Sequence, residues 1–247
     1  MPISLILGHR GAKKYAPENT LASFSLALEQ GADGVELDAK LTADGVVVVH
    51  HDVTLERTTN GSGRLAQFPL DALRELDAGC FFSEKFRGEK IPTLEEVFES
   101  IGKRAVINVE LTNYSTPRDR LVETVCELVR RHALQKSIVF SSFFAGNLKK
   151  TAQILPEVPR GLLTQVSILG LWGRSFGFDF GNYAALHPYV SDVTAQQVQR
   201  VHRLNRKINV WTVNTEDDMR RLMDWGVDGL ITDDPLLAVR VARGRLE

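Results

Sequence analysis

The sequence predicts an α/β fold, a (β/α)8 TIM barrel with a small insertion, on three observations. Short β-branched apolar runs alternate with longer segments of helical period along the chain. About eight such units fit a barrel of this length, 247 residues. The alternation is broken once, by residues 54–92. Strands alternating with helices pair in parallel and have both sheet faces covered. An open doubly wound sheet is the other arrangement, but no Gly-x-Gly-x-x-Gly follows the first strand, which argues against its dinucleotide-binding form.

Strands are expected over residues 4–7, 34–41, 46–49, 105–111, 137–140, 160–163, 183–186, 208–213 and 229–231. Helices are expected over 20–30, 93–100, 117–132, 145–155, 194–205, 215–225 and 235–242. Several open on Ser, Thr or Asp, whose oxygens accept from otherwise unbonded backbone N–H groups, and the first closes at Gly31. Asp233 and Asp234 precede Pro235 and are read as caps of the last helix. Residues 54–92 carry Asn60-Gly61-Ser62-Gly63, a short helical piece after Pro69, and Phe68, Phe81, Phe82 and Phe86. A structureless connection of that length is improbable in a compact domain, so the stretch is expected to fold over one barrel end. No linker-like run divides the chain, and residues 1–247 are expected to form one domain.

A chain that is 43% hydrophobic and 25% charged is neither disordered nor collagen-like. Thirty Lys plus Arg against thirty-one Asp plus Glu leave a formal charge of −1. Such a molecule has no general attraction for nucleic acid or an anionic membrane, and neither is expected as a partner. Any anion must be gripped locally. Two cysteines are too few for a disulfide framework, and Cys126 sits among Leu121, Val122, Val125 and Val129 as a buried thiol. The apolar run before Gly8 is too short for a signal segment or a membrane span, so a cytoplasmic location is expected.

Barrel chemistry belongs at the C-terminal strand ends. The first strand runs into Gly8-His9-Arg10-Gly11, where glycines allow a ligand to approach the backbone. In Gly34-Val35-Glu36-Leu37-Asp38 the period of two puts both acids on one face. Asn108-Val109-Glu110-Leu111 repeats the pattern. Three converging carboxylates repel unless a cation lies between them, and an oxygen-only donor set favours Mg²⁺, Ca²⁺ or Mn²⁺ over Zn²⁺. After 46–49 come His50, His51 and Asp52, and alternation lets only one of the two histidines face the acids.

His9-Arg10-Gly11, Pro17-Glu18-Asn19-Thr20, Glu36-Leu37-Asp38, His51-Asp52, 55–61, Val109-Glu110-Leu111, Trp211-Thr212-Val213-Asn214 and 229–233, taken in order, resemble the glycerophosphodiester phosphodiesterase family from His9 to Pro235. The resemblance implies a (β/α)8 barrel with an insertion after the second histidine. It makes His9 and His51 the acid/base pair, which selects His51 over His50. It also makes Glu36, Asp38 and Glu110 the metal ligands, Arg10 a phosphate contact, and Trp211 a wall against the glycerol or the leaving group. The sequence departs from the family at Thr112, where a Lys is common, and Lys13, Lys14 or Lys40 are candidates to supply the missing charge.

The expected reaction is divalent-metal-dependent hydrolysis of small-molecule glycerophosphodiesters to sn-glycerol 3-phosphate and an alcohol. His9 is expected to take the nucleophile's proton and His51 to protonate the leaving oxygen. The nucleophile is water or the hydroxyl beside the phosphate. A lysophospholipase D-like enzyme and a phosphodiester-binding protein with impaired turnover are the alternatives. Elsewhere, His187-Pro188 at the end of a late strand is read as a structural turn, with pointing into the site as the other reading, His132 and His202 as solvated, and the stretch 171–183, with Trp172, Phe176, Phe178 and Phe180, as an alcohol pocket, cover or contact surface.

Overall fold

A computed structural model describes residues 5–167, 170 and 172–244. Ser4 and Leu171, which open the first predicted strand and the aromatic stretch, lie outside them.

Nine strands form one sheet: β1 (Leu5–His9), β2 (Gly34–Leu41), β3 (Val47–Val49), β4 (Val106–Leu111), β5 (Ile138–Ser142), β6 (Arg160–Thr164), β7 (Ala185–Pro188), β8 (Lys207–Val210) and β9 (Gly229–Thr232). All pair in parallel except β3, a hairpin partner of β2. The remaining eight close into a barrel because β1 pairs with both β2 and β9. The protein is therefore a (β/α)8 barrel, as its strand–helix alternation predicts.

The principal helices are α1 (Leu21–Glu29), α2 (Leu70–Arg74), α3 (Leu94–Ile101), α4 (Leu121–Arg131), α5 (Ala145–Ile154), α6 (Ala195–Arg203), α7 (Glu216–Asp224) and α8 (Pro235–Arg243). The side chains of Thr20, Thr93, Thr194, Thr215 and Asp234 each accept a backbone N–H of the first turn they precede. In α3 Glu96 also reaches back to the Thr93 N–H and closes a capping box. Outward-facing Val35, Leu37, Val109 and Leu111 belong to the core under the helices, with Leu121, Val125 and Cys126 of α4.

Among the element boundaries that differ from expectation, three have a visible local cause. The helix predicted from 117 begins at Leu121, because Asp119 takes the Asn113 amide, the Thr116 hydroxyl and the Leu121 N–H and holds the preceding residues in turns. The strand predicted over 183–186 starts at Ala185, since Tyr183 stacks on Phe178 instead. The strand predicted over 208–213 stops at Val210, with one isolated bridge from Trp211 to Tyr189.

Between Thr54 and Pro92 the chain forms α2 and two 3-10 turns over a second apolar cluster containing Val48, Leu55, Leu65, Leu73, Ala78 and Ile91. Val48 belongs to β3, so this cluster sits on the hairpin beside β2.

Candidate active site

The period of two along β2 turns Glu36, Asp38 and Lys40 away from the outward Val35, Leu37 and Ala39. Parallel registers then decide what lies beside them: His9 opposite Glu36 on one side, Asn108 opposite Glu36 and Glu110 opposite Asp38 on the other. Glu36, Asp38 and Glu110 each bring a carboxylate oxygen within 4.8 Å of the others.

The electrostatics of this group are unequal. Burial, then the charges of Asp38 and Glu110, push Glu36 well above the usual carboxylate range. Burial, then Asp38, pushes Glu110 up to about 8, even though the Tyr114 hydroxyl donates to Glu110 Oε1 at 2.8 Å. Burial alone would raise Asp38 too, but Arg10, His51 and the Asn19 amide, which donates to Oδ2 at 2.9 Å, outweigh it and hold Asp38 low. Without a cation, two of the three carboxyls are driven toward their protonated forms. An oxygen-only group of two buried carboxyls and one half-buried carboxyl fits a hard divalent cation such as Mg²⁺, Ca²⁺ or Mn²⁺.

His9 Nδ1 lies 2.6 Å from Asp233 Oδ1. That carboxylate accepts the Nδ1 proton and leaves Nε2, 3.9 Å from Glu36 Oε2, as the ring's free nitrogen. Burial lowers the His9 pKa despite Asp233. Asp233 is itself held by the Asn214 amide at 2.8 Å. Of the two aspartates read as helix caps, only Asp234 caps α8, taking the Leu237 N–H at 3.0 Å. Asp233 turns back to His9 because β9 closes the barrel against β1.

Arg10 occupies a left-handed turn (φ 56°) followed by Gly11 (φ 89°). Its Nη1 donates to Glu18 Oε1 at 2.9 Å, and its Nε lies 3.2 Å from Asp38 Oδ2 without an N–H aimed at it. Glu18 also takes two bonds from Arg57, at 2.9 and 2.7 Å. Arg57 grips Asp52 at 2.6 and 3.1 Å, and Asp52 Oδ1 lies 2.6 Å from His51 Nδ1. A continuous charged chain thus links His51 to Arg10. His50 takes no part in it: it is buried, and its Nε2 lies 3.0 Å from the Thr54 carbonyl.

These groups open on a cavity of about 660 Å³ lined by His9, Arg10, Glu36, Lys40, His51, Glu110 and Thr112, with Tyr114, Phe143, Phe144 and Trp211 as an aromatic wall. Asp38 belongs to the acid group but not to the wall of the cavity. The Trp211 indole N–H donates to the His187 carbonyl at 2.8 Å, and its ring meets Phe143 edge-on at 5.6 Å. The turn expected at His187-Pro188 is instead the end of β7, where His187 is fully buried against the Asn209 amide and burial takes its pKa down to about 4. Phe81 and Phe82 stand partly exposed away from the cavity, and the aromatic stretch divides into buried Phe178 and exposed Trp172, Phe176 and Phe180.

The sequence reasoning missed Asp233 as the partner of His9, and Glu18, Arg57 and Tyr114 altogether as members of the site's network. Asp52, Glu18 and Arg57 stood within recognised motifs, but no spacing rule connects Glu18 to Arg57, 39 positions further along the chain.

An eight-stranded barrel with two histidines, an arginine and an acid group that could hold a metal ion at its C-terminal strand ends has the make-up of a barrel enzyme. Residues 9–237 match the glycerophosphoryl diester phosphodiesterase family, and the chain belongs to this family of enzymes. Over 241 residues it is 38% identical to the glycerophosphodiester phosphodiesterase of Caldanaerobacter subterraneus subsp. tengcongensis, covering 97% of this chain and 98% of that one. A glycerophosphodiester phosphodiesterase of Bacillus altitudinis is 35% identical over 240 residues, covering 96% and 97%. Among solved structures, an Oleispira antarctica phosphodiesterase in complex with the product sn-glycerol-3-phosphate superposes with a TM-score of 0.88 at 32% identity, covering 98% of this chain and 97% of that one.

Proposed function

We propose that the protein is a divalent-metal-dependent hydrolase of glycerophosphodiesters that releases sn-glycerol 3-phosphate and an alcohol by histidine acid/base catalysis. The observation that carries this reading is the convergence of His9, His51, Glu36 and Glu110 on one cavity, with Asp38 beside the two acids. A protein that merely bound a phosphodiester would not need two imidazoles at its mouth.

Glu36, Asp38 and Glu110 are the residues to hold the cation, which supplies charge neutralisation at the phosphate. Arg10 adds positive charge beside them, held in place by Glu18. His9 Nε2 takes the proton of the attacking water as its oxygen bonds to phosphorus. The ester P–O bond on the alcohol side breaks, and His51 Nε2 gives its proton to the departing oxygen. Asp233 and Asp52 fix the two rings through their Nδ1 atoms. Trp211 and the neighbouring aromatic rings wall the space for the glycerol or the leaving group. In a cyclic route the proton passed to His9 comes from the glycerol hydroxyl instead, and hydrolysis of a diester lacking that hydroxyl argues for water.

The test is hydrolysis of glycerophosphocholine and glycerophosphoethanolamine, with EDTA and then with added Mg²⁺, Ca²⁺ or Mn²⁺. EDTA should abolish turnover, a divalent cation should restore it, and His9→Ala should lower kcat by about 10²–10⁴-fold. Metal-independent turnover, or full activity of His9→Ala, overturns the mechanism.

One observation favours a second, lysophospholipase D-like reading. Exposed Trp172, Phe176 and Phe180 follow Gln165, which lines the cavity. Faster hydrolysis of micellar lysophospholipid than of glycerophosphocholine would support it. We also place the whole chain in one domain, with residues 54–92 as an insertion on the barrel, and in the cytoplasm. Among the described residues no helix is long and apolar enough to cross a membrane, and cell fractionation tests the location.

A further inference from the structure

Lys40 differs from the other cations at this end of the barrel. It extends the inward row Glu36, Asp38, Lys40 on β2 and lines the cavity. Its ammonium donates to the Thr112 carbonyl at 3.1 Å and to Thr112 Oγ1 at 3.0 Å. The Thr112 hydroxyl gives its own proton to the Ala39 carbonyl at 2.7 Å, so toward Lys40 it can only accept. An ammonium has three N–H donors. Two are answered by neutral oxygens of one residue, and among the described residues the carboxylates that act on Lys40 do so by charge alone and not by a hydrogen bond.

The neighbouring cations are already engaged. Arg10 is held by Glu18 and Asp38, and Arg57 by Glu18 and Asp52. Lys13 lies 3.7 Å from Glu18 and 3.9 Å from Asp233, and Lys14 lies 2.6 Å from Asp234. Asp38, Glu110, Asp52 and Asp119 act on the Lys40 ammonium only from a distance, and a charge held off its carboxylates gains from an anion that touches it. Here the open direction is the cavity, which also receives Glu36, Glu110 and both histidines.

We propose that Lys40, seated on Thr112, binds a non-bridging oxygen of the substrate's phosphate. The residue is then a substrate-binding group contributed by β2, and Thr112 is its positioning residue on the facing β4 side. This rests on the phosphodiesterase reading above for the nature of the ligand, but the anion-binding role can be measured without turnover.

The experiment compares the Mg²⁺-loaded full chain with Lys40→Met, which keeps the apolar stem and removes the charge. Calorimetry reads the affinity for sn-glycerol 3-phosphate, for inorganic phosphate and, separately, for Mg²⁺. Kinetics with glycerophosphocholine gives kcat and KM. Loss of a charge-assisted hydrogen bond should weaken phosphate-ester binding and raise KM by about 10–100-fold, with Mg²⁺ affinity retained. Lys40→Met combined with Thr112→Lys returns an ammonium from just past the end of the neighbouring β4 and should recover most of the binding. Thr112→Val keeps the charge and the Thr112 carbonyl but removes the hydroxyl acceptor, and should give a smaller rise in KM even if Lys40→Met fails to fold.

Wild-type phosphate-ester affinity in Lys40→Met overturns the proposal. So does a loss that merely follows a loss of Mg²⁺ affinity, because Lys40 then only balances the acids. If the wild type binds sn-glycerol 3-phosphate through Lys40 yet hydrolyses no diester, the phosphodiesterase reading fails while the binding role stands. If it binds neither anion, the binding role fails.

Discussion

His9 depends on a residue 224 positions away in the chain, since Asp233 receives its Nδ1 proton. Replacing Asp233 with Asn offers the ring a donor as readily as an acceptor and frees the other tautomer. Asp233→Asn should lower kcat by about 10²–10⁴-fold with a smaller change in KM, read by steady-state kinetics. The ¹⁵N shifts of the imidazole should report the changed tautomer.

Glu18 is the second pivot, because one buried carboxylate serves both Arg10 and Arg57. Burial would raise its pKa, but the two arginines outweigh it and hold Glu18 far below the usual range. Glu18→Gln leaves two guanidinium groups without their shared partner and should cost about 3 kcal/mol in urea unfolding at pH 7. The same arginine network takes Asp52 to about 2 from an unfolded value near 3.8, against the effect of burial. A depressed acid binds fewer protons in the folded state, so its stabilisation is complete above about pH 4 and disappears as pH falls through about 2. The acid limb of the stability curve should therefore be shallower in Asp52→Asn.

Among the elements, the helices were the most readable in advance. Thr20, Thr93, Thr194 and Thr215 all cap the helices they were expected to open, since a cap depends on neighbours a few residues away. α3 carries the fullest example, and Thr93→Ala should destabilise the protein by about 1 kcal/mol in denaturant unfolding. α4 confirms Cys126 as a buried thiol, pushed up to about 12 chiefly by burial. A thiolate reagent should reach Cys126 only after unfolding, so labelling of the native protein at pH 8 should leave it unmodified in a mass spectrum. Boundaries failed where a side chain from a neighbouring segment intervened. Asp119 delayed α4, and the stacking of Tyr183 on Phe178 delayed β7.

Across the whole molecule, a net charge of −1 conceals strong local separation of charge. The metal-free acid group works against the fold at neutral pH. Glu110 is raised to about 8 from 4.5, so the folded state binds the extra proton between those values and stability falls as pH rises through them. The melting temperature of EDTA-treated protein should drop from pH 5 to pH 8. Added Mg²⁺, Ca²⁺ or Mn²⁺ should restore it, with a larger increment at pH 8, because the bound cation requires the ionised carboxylates. A melting curve unchanged by divalent cations at pH 8 would oppose a metal at this group.

The alternation of apolar runs, the helix caps, and the placement of Glu36 with Asp38 on one strand face were all legible in the chain. Each depends on a period or a contact spanning only a few residues. The pairing of β1 with both β2 and β9 was not legible in detail, and it is this closure that brings His9 to Asp233 on one side and to Glu36 on the other. The register of β2 on β4 likewise set Asp38 opposite Glu110 and carried Lys40 onto Thr112, just past the end of β4. Local rules say which way a side chain points, whereas its partner across the barrel follows from long-range pairing that only the closed sheet decides.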